Sequence, residues 1–190
     1  MQVDRILYPI TSLGPGERLV ILTIGCSKHC KNCTNPELWE GNPAKDINVT
    51  ELVNMIKQTT QNHVIDGVTL TGGDPLEQIT ELNEMLPLLK DISDDVLIYT
   101  GYTLNEAKEA LSQSEWENMS KYTSVLIDGP YIDELNDNKC VLRGSTNQNI
   151  IYFDETKRKL YSDYLSKERT VQNIYYNQKI ISVGIHNRDL

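Results

Sequence analysis

Residues 18–33 read Arg18-Leu19-Val20-Ile21-Leu22-Thr23-Ile24-Gly25-Cys26-Ser27-Lys28-His29-Cys30-Lys31-Asn32-Cys33. The first seven are nearly continuous apolar and β-branched, the pattern of a strand buried on both faces. A loop with the spacing Cys-x3-Cys-x2-Cys follows directly. Three of the chain's four cysteines therefore fall within eight residues. In a reducing compartment such clustering points to metal or redox chemistry rather than to disulfides.

Outward from this loop the sequence alternates strand and helix patterns. Val49 to Gln61 is read as a helix with Thr50 as N-cap and Leu52, Val53 and Ile56 on one face. Gly67 to Thr71 reads as a second strand, and Leu76 to Leu89 as a helix with Ile79, Leu82, Met85, Leu86 and Leu89 inward. Val96 to Thr100 is a third strand. Leu104 to Trp116 is a helix capped by Thr103 with Glu106 three residues on. Ser124 to Asp128 is a fourth strand. The order βαβαβαβ predicts a parallel sheet with right-handed crossovers. Ile150 to Phe153 and Lys179 to Ile185 are candidate further strands. Residues 130–149 read as a loop, and residues 154–178 remain unassigned.

A closed eight-fold barrel takes roughly 250 residues, and this chain has 190. The expected fold class is therefore α/β, a partial, open TIM-like barrel of parallel strands with crossover helices. The whole of 1–190 is expected to form one domain, with the motifs in residues 13–150 and an unassigned segment at 151–190. Ligands in such sheets sit beyond the carboxyl ends of the strands, and the motifs here fall at those ends.

The formal net charge of −9 argues against a general nucleic-acid binder, which carries a basic face. It also disfavours docking on anionic membranes. No stretch approaches the apolar length of a bilayer span. Residues 1–17 hold Asp4, Arg5, Pro9, Pro15 and Glu17 and no apolar signal core. A soluble cytoplasmic protein is expected.

Three thiolates spaced as Cys26, Cys30 and Cys33 suit three corners of a cubane cluster, where most 4Fe–4S clusters take four cysteines. A coordination position left open is what a catalytic metal centre needs, as opposed to a structural one. Two other readings stay open: a zinc site completed by His29 or Cys140, and a set of plain reactive or buried thiols.

The cysteine spacing resembles that of the radical S-adenosylmethionine superfamily. That resemblance implies a 4Fe–4S cluster on Cys26, Cys30 and Cys33, whose fourth iron is chelated by the amine and carboxylate of S-adenosylmethionine. One electron from the cluster would then cleave the sulfonium, giving a 5′-deoxyadenosyl radical that abstracts a hydrogen atom. Thr71-Gly72-Gly73-Asp74-Pro75 is similar to the superfamily's glycine-glycine-glutamate motif, whose backbone binds the methionine amine. Asp74 stands where glutamate is commoner. Many members place an aromatic residue before the last cysteine, and here it is Asn32.

A polar residue there is similar to the activating enzymes of anaerobic ribonucleotide reductase. So are Tyr99-Thr100-Gly101-Tyr102, Asp128-Gly129-Pro130-Tyr131, Arg143-Gly144-Ser145-Thr146-Asn147-Gln148, Gly14 to Arg18, and Asn35 to Trp39. This resemblance implies cofactor roles for Tyr99, Asp128, Arg143 and Asn147, with Arg143 on a carboxylate and Trp39 shielding the cluster. It further implies abstraction of a glycine α-hydrogen from a large glycyl radical enzyme, the anaerobic ribonucleoside-triphosphate reductase. A flavodoxin- or ferredoxin-type donor would supply the electron. The alternatives are a radical enzyme acting on a peptide or small molecule, and a non-catalytic zinc or iron–sulfur module. Cys140 is read as a structural or free thiol, and His63 and His186 as bystanders.

Overall fold

The computed structural model describes residues 1–188. Its elements run β1 (Val3–Ile10), β2 (Arg18–Thr23), α1 (Val49–Thr60), β3 (Gly67–Gly72), α2 (Ile79–Leu89), β4 (Val96–Tyr99), α3 (Leu104–Ala110), α4 (Gln113–Tyr122), β5 (Val125–Asp128), β6 (Asn149–Tyr152), α5 (Arg158–Leu165), β7 (Val171–Tyr176) and β8 (Lys179–Gly184). Strands β1 to β6 form one mixed sheet in chain order, and β7 and β8 form a separate hairpin. The four strands β2 to β5 are parallel, as the alternating pattern requires. The edges are antiparallel: β1 pairs with β2, and β6 pairs with β5.

Both faces of the parallel strands are covered, which explains their unbroken apolar runs. Leu19, Ile21, Val68, Leu70, Val96, Ile98 and Leu126 pack with Leu52, Val53, Ile56, Leu82, Met85 and Leu86 from α1 and α2. On the other face, Val20 and Leu22 cluster with Ile10, Leu13 and Val183. Leu97, Val125 and Ile127 cluster with Tyr161 and Tyr164 of α5. Each fully buried aliphatic side chain stabilises the fold by about 1.5–3 kcal/mol.

The apolar reading of β2 misses the role of its first residue. Arg18 is completely buried. Its Nη1 lies 2.7 Å from Asp95 Oδ2, and its Nε donates to Thr69 Oγ1 at 2.7 Å. Its Nη2 donates to the Val68 carbonyl at 2.8 Å, and Tyr161 donates to Asp95 Oδ1 at 3.0 Å. The ion pair therefore sits inside a satisfied network rather than alone in the core.

Several local expectations are corrected. The N-cap of α1 is Asn48, not Thr50: its Oδ1 accepts the Thr50 and Glu51 N–H groups at 2.9 and 3.2 Å. The stretch 104–116 is not one helix. Leu111 and Ser112 are extended, and Ser112 with Glu115 forms a second capping box that starts α4. The first turn of the expected 76–89 helix is a 3-10 turn at Pro75–Gln78. Strand β1, helix α5 and strand β7 have no counterpart in the sequence reading.

Candidate metal centre

The carboxyl ends of β2, β3 and β4 open on a cavity of about 630 Å³. Cys26, Cys30 and Cys33 line it, together with Thr71, Gly72 and Gly73. The cysteine loop holds its shape through two residues in the left-handed region, His29 at φ 43° and Asn32 at φ 57°. Asparagine tolerates that conformation and a bulky aromatic does not, which accounts locally for Asn32. The loop is pinned to the segment after it: Gly25 N–H donates to the Leu38 carbonyl at 2.8 Å, and Cys26 N–H to the Trp39 carbonyl at 3.0 Å. Burial pushes the Cys26 and Cys30 thiols up, so both stay protonated without metal. Ligation by thiolates would release those protons.

His29 and Cys140, the two residues considered for completing a zinc site, point elsewhere. The His29 ring stacks on Trp39 with centroids 4.8 Å apart, and its Nε2 is 3.8 Å from Glu40. The Cys140 thiol lies 3.5 Å from Asp137 Oδ2 and 3.5 Å from Arg143 Nη2. Among the described residues, no three His, Cys, Asp or Glu side chains converge as one ion requires. A single zinc needs every ligand within roughly 2.3 Å of one point. Three thiols lining one open cavity suit a cluster, in which each thiolate would take its own iron.

The Gly72–Gly73 turn packs directly on the cysteine loop. Gly72 has φ 108°, and a Cβ there would lie 2.7 Å from the Thr23 backbone N and O. A Cβ on Gly73 would overlap the Gly25 carbonyl. Gly73 N–H donates to the Thr23 carbonyl at 2.8 Å and Asp74 N–H to the Gly25 carbonyl at 2.7 Å. Asp74 is 1% exposed. Its carboxylate accepts from Leu76 N–H at 3.0 Å, from the Thr100 hydroxyl at 3.0 Å and from Gly101 N–H at 2.8 Å. Burial raises its pKa to about 6 despite these donors.

The remaining residues singled out in the sequence divide into two groups. Tyr99 and Trp39 line the cavity. The Tyr99 hydroxyl is buried without a partner among the described residues, and burial holds it protonated. Asp128, Arg143 and Asn147 are not in the lining; each bonds elsewhere, and Asn147 Oδ1 is buried without a partner among the described residues. Asp128 accepts from Leu104 N–H at 2.7 Å and from Asn149 N and Nδ2 at 3.0 and 2.9 Å. Arg143 donates to the Gln148 carbonyl at 2.9 Å, and Asn147 Nδ2 to the Pro130 carbonyl at 2.8 Å.

Sequence reasoning missed other cavity residues. Lys28, Gln148 and the stretch from Ile181 to Arg188 all line it. Lys28 sits over the Tyr102 ring, 4.0 Å from its centroid. His186, read as a bystander, is in the lining through a segment that carries no motif.

Residues 12–151 match the family model described as 4Fe–4S single cluster domain. The chain is similar to the anaerobic ribonucleoside-triphosphate reductase-activating protein of Haemophilus influenzae, 33% identical over 155 residues, covering 77% of this chain and 95% of that one. It is also similar to the protein of that name from Enterobacteria phage T4, 32% identical, covering 79% of this chain and 93% of that one. The pyruvate formate-lyase-activating enzyme of Staphylococcus aureus is 32% identical, with 77% of this chain and 61% of that enzyme covered.

Proposed function

The chain belongs to the 4Fe–4S single cluster domain family, and from that premise we propose that it is a radical S-adenosylmethionine activase of a glycyl radical enzyme. One observation carries the reading: Cys26, Cys30, Cys33 and the Gly72–Gly73 turn line one cavity at the strand ends. When bound, the cluster and S-adenosylmethionine supply a low-potential electron and a radical able to abstract a hydrogen atom.

The chain's own residues do the rest. Cys26, Cys30 and Cys33 would hold the cluster through their thiolates. At the Gly72–Gly73 turn, the Gly73 and Asp74 amide hydrogens are already given to Thr23 and Gly25 carbonyls. In this reading the backbone of the turn receives the ammonium of a methionine moiety. Asp74 acts as a positioning residue, since its carboxylate is taken up by Leu76, Thr100 and Gly101. Thr71 and Tyr99 complete the wall, and Trp39 limits water access. Asp128, Arg143 and Asn147 serve as framework in this reading.

The sheet with its flanking helices is read as a partial, open TIM-like barrel, and residues 1–190 as one radical S-adenosylmethionine domain. The substrate is a glycine α-hydrogen of a large partner, in keeping with relatives named for activating a reductase and a lyase. The anaerobic ribonucleoside-triphosphate reductase is the proposed partner. A flavodoxin- or ferredoxin-type protein supplies the electron, in the reducing cytoplasm.

The test is anaerobic. The protein is reconstituted with iron and sulfide, reduced with dithionite and given S-adenosylmethionine. Formation of 5′-deoxyadenosine and methionine that depends on all three cysteines is the expected result. A cluster-loaded protein that yields neither product, alone or with the reductase, would sink the reading.

A further inference from the structure

Part of the cavity wall comes from chain that the family match leaves out. The match ends at residue 151, yet Ile181 to Arg188 line the same cavity as the three cysteines. This segment is firmly built in. Ile174, Tyr176, Ile181 and Val183 of the hairpin pack with Leu7, Ile10, Leu13 and Leu22. Ser12 Oγ donates to the Val183 carbonyl at 2.7 Å.

Beyond the hairpin, two arginines fix the backbone. Arg169, with a side chain 5% exposed, donates to the His186 carbonyl at 3.0 Å and to the Cys140 carbonyl at 2.8 Å. Arg188 N–H donates to Asn138 Oδ1 at 2.8 Å, and its Nε lies 3.3 Å from Asp133 Oδ2. Held at both ends, residues 185–188 are a wall of the site rather than a loose tail.

We propose that this wall contacts the partner: the glycine-bearing loop enters the cavity along residues 185–188, with Asn187 and Arg188 as its main contacts. The proposal rests on the activase reading. The matched part of the chain is shared with activating proteins named for two different partners. The wall at 185–188 lies outside the family match and adds contacts beyond those the matched part supplies. Asn187 and Arg188 are exposed as well as cavity-lining, so an incoming loop can touch them. Val183 by contrast is buried and spent on packing.

The experiment uses the full-length, cluster-reconstituted protein with the anaerobic ribonucleoside-triphosphate reductase of the same organism as probe. Asn187→Trp adds bulk to the wall, and Arg188→Glu reverses its charge. The dissociation constant for the reductase and the glycyl radical per reductase are measured, with thermal midpoints as a check on folding. At least tenfold weaker binding in both variants, with a matching loss of radical at sub-saturating protein, is expected. Wild-type affinity in either folded variant removes that residue from the contact, and in both it overturns the proposal. The activase reading is judged separately on the wild type. If the wild type cleaves S-adenosylmethionine but leaves no radical on the reductase, the partner assignment fails, and this inference with it.

Discussion

The carboxylate of Asp74 accepts the backbone N–H of Gly101 at 2.8 Å, tying the turn after β3 to the turn after β4. The Thr100 hydroxyl donates to the same carboxylate at 3.0 Å. Two loops that both line the cavity are thereby locked to each other through one buried group. An aspartate is short enough to make these bonds within the turn, which is the local reason Asp74 fits here.

This burial has a pH signature. The Asp74 carboxyl is raised from the ordinary aspartate value to about 6. A raised acid binds its proton more tightly in the folded state. Stability from this group is therefore full below about pH 4 and falls as pH rises through about 6, by about 3 kcal/mol at roughly 1.4 kcal/mol per unit. Denaturant titrations of metal-free wild type and Asp74→Asn at several pH values between 4 and 7.5 test this. The stability difference between the two proteins should change across that window. A constant difference would show that Asp74 titrates normally.

Cys26→Ala, Cys30→Ala and Cys33→Ala should each lose the bound cluster, measured as iron and sulfide per chain after anaerobic reconstitution. Cys140→Ala should keep it, because Cys140 is engaged with Asp137 and Arg143 away from the cavity. A Cys140→Ala protein without iron would reopen a fourth-ligand role.

Gly73→Ala should damage the site from the inside. The new methyl group meets the Gly25 carbonyl, one residue before Cys26. Overpacking of this kind costs about 1–3 kcal/mol. The cysteine loop is the part that must move, so cluster occupancy should fall along with the urea midpoint. Full occupancy at an unchanged midpoint would mean that the turn relaxes elsewhere.

The parallel strands and the cavity's cysteine and glycine loops were legible because short-range patterns specify them. Buried strands read as apolar runs, and Cys-x3-Cys-x2-Cys states its chemistry locally. What escaped was set by distant contacts. Strand β1 pairs at the edge with β2 and is only partly buried, so its pattern is weak. Hairpin β7–β8 turns through Asn177 and Gln178, both at positive φ, and Gln178 is an unusual residue for such a turn. Asp128 and Asn147 bond to Leu104, Asn149 and Pro130, and Arg143 to Gln148 within its own motif; motif spacing does not state such bonds. Leu104 to Trp116 shows the limit of periodicity, since the Ser112 cap interrupts a pattern that otherwise continues.

Arg18 offers the sharpest test of the core. Its guanidinium and the Asp95 carboxylate are 0% and 1% exposed. Arg18→Met removes the cation and leaves Asp95 buried with the Tyr161 hydroxyl as its remaining side-chain donor from another element. Breaking a buried pair this way costs about 3–5 kcal/mol. Pairing the change with Asp95→Asn removes the stranded charge as well. The double variant should therefore be less destabilised than the sum of the two single ones, by more than about 1 kcal/mol. Urea denaturation of the four proteins gives the coupling directly. Additive losses would mean that Arg18 acts through packing and its bonds to Thr69 and Val68, and that the ion pair itself contributes little.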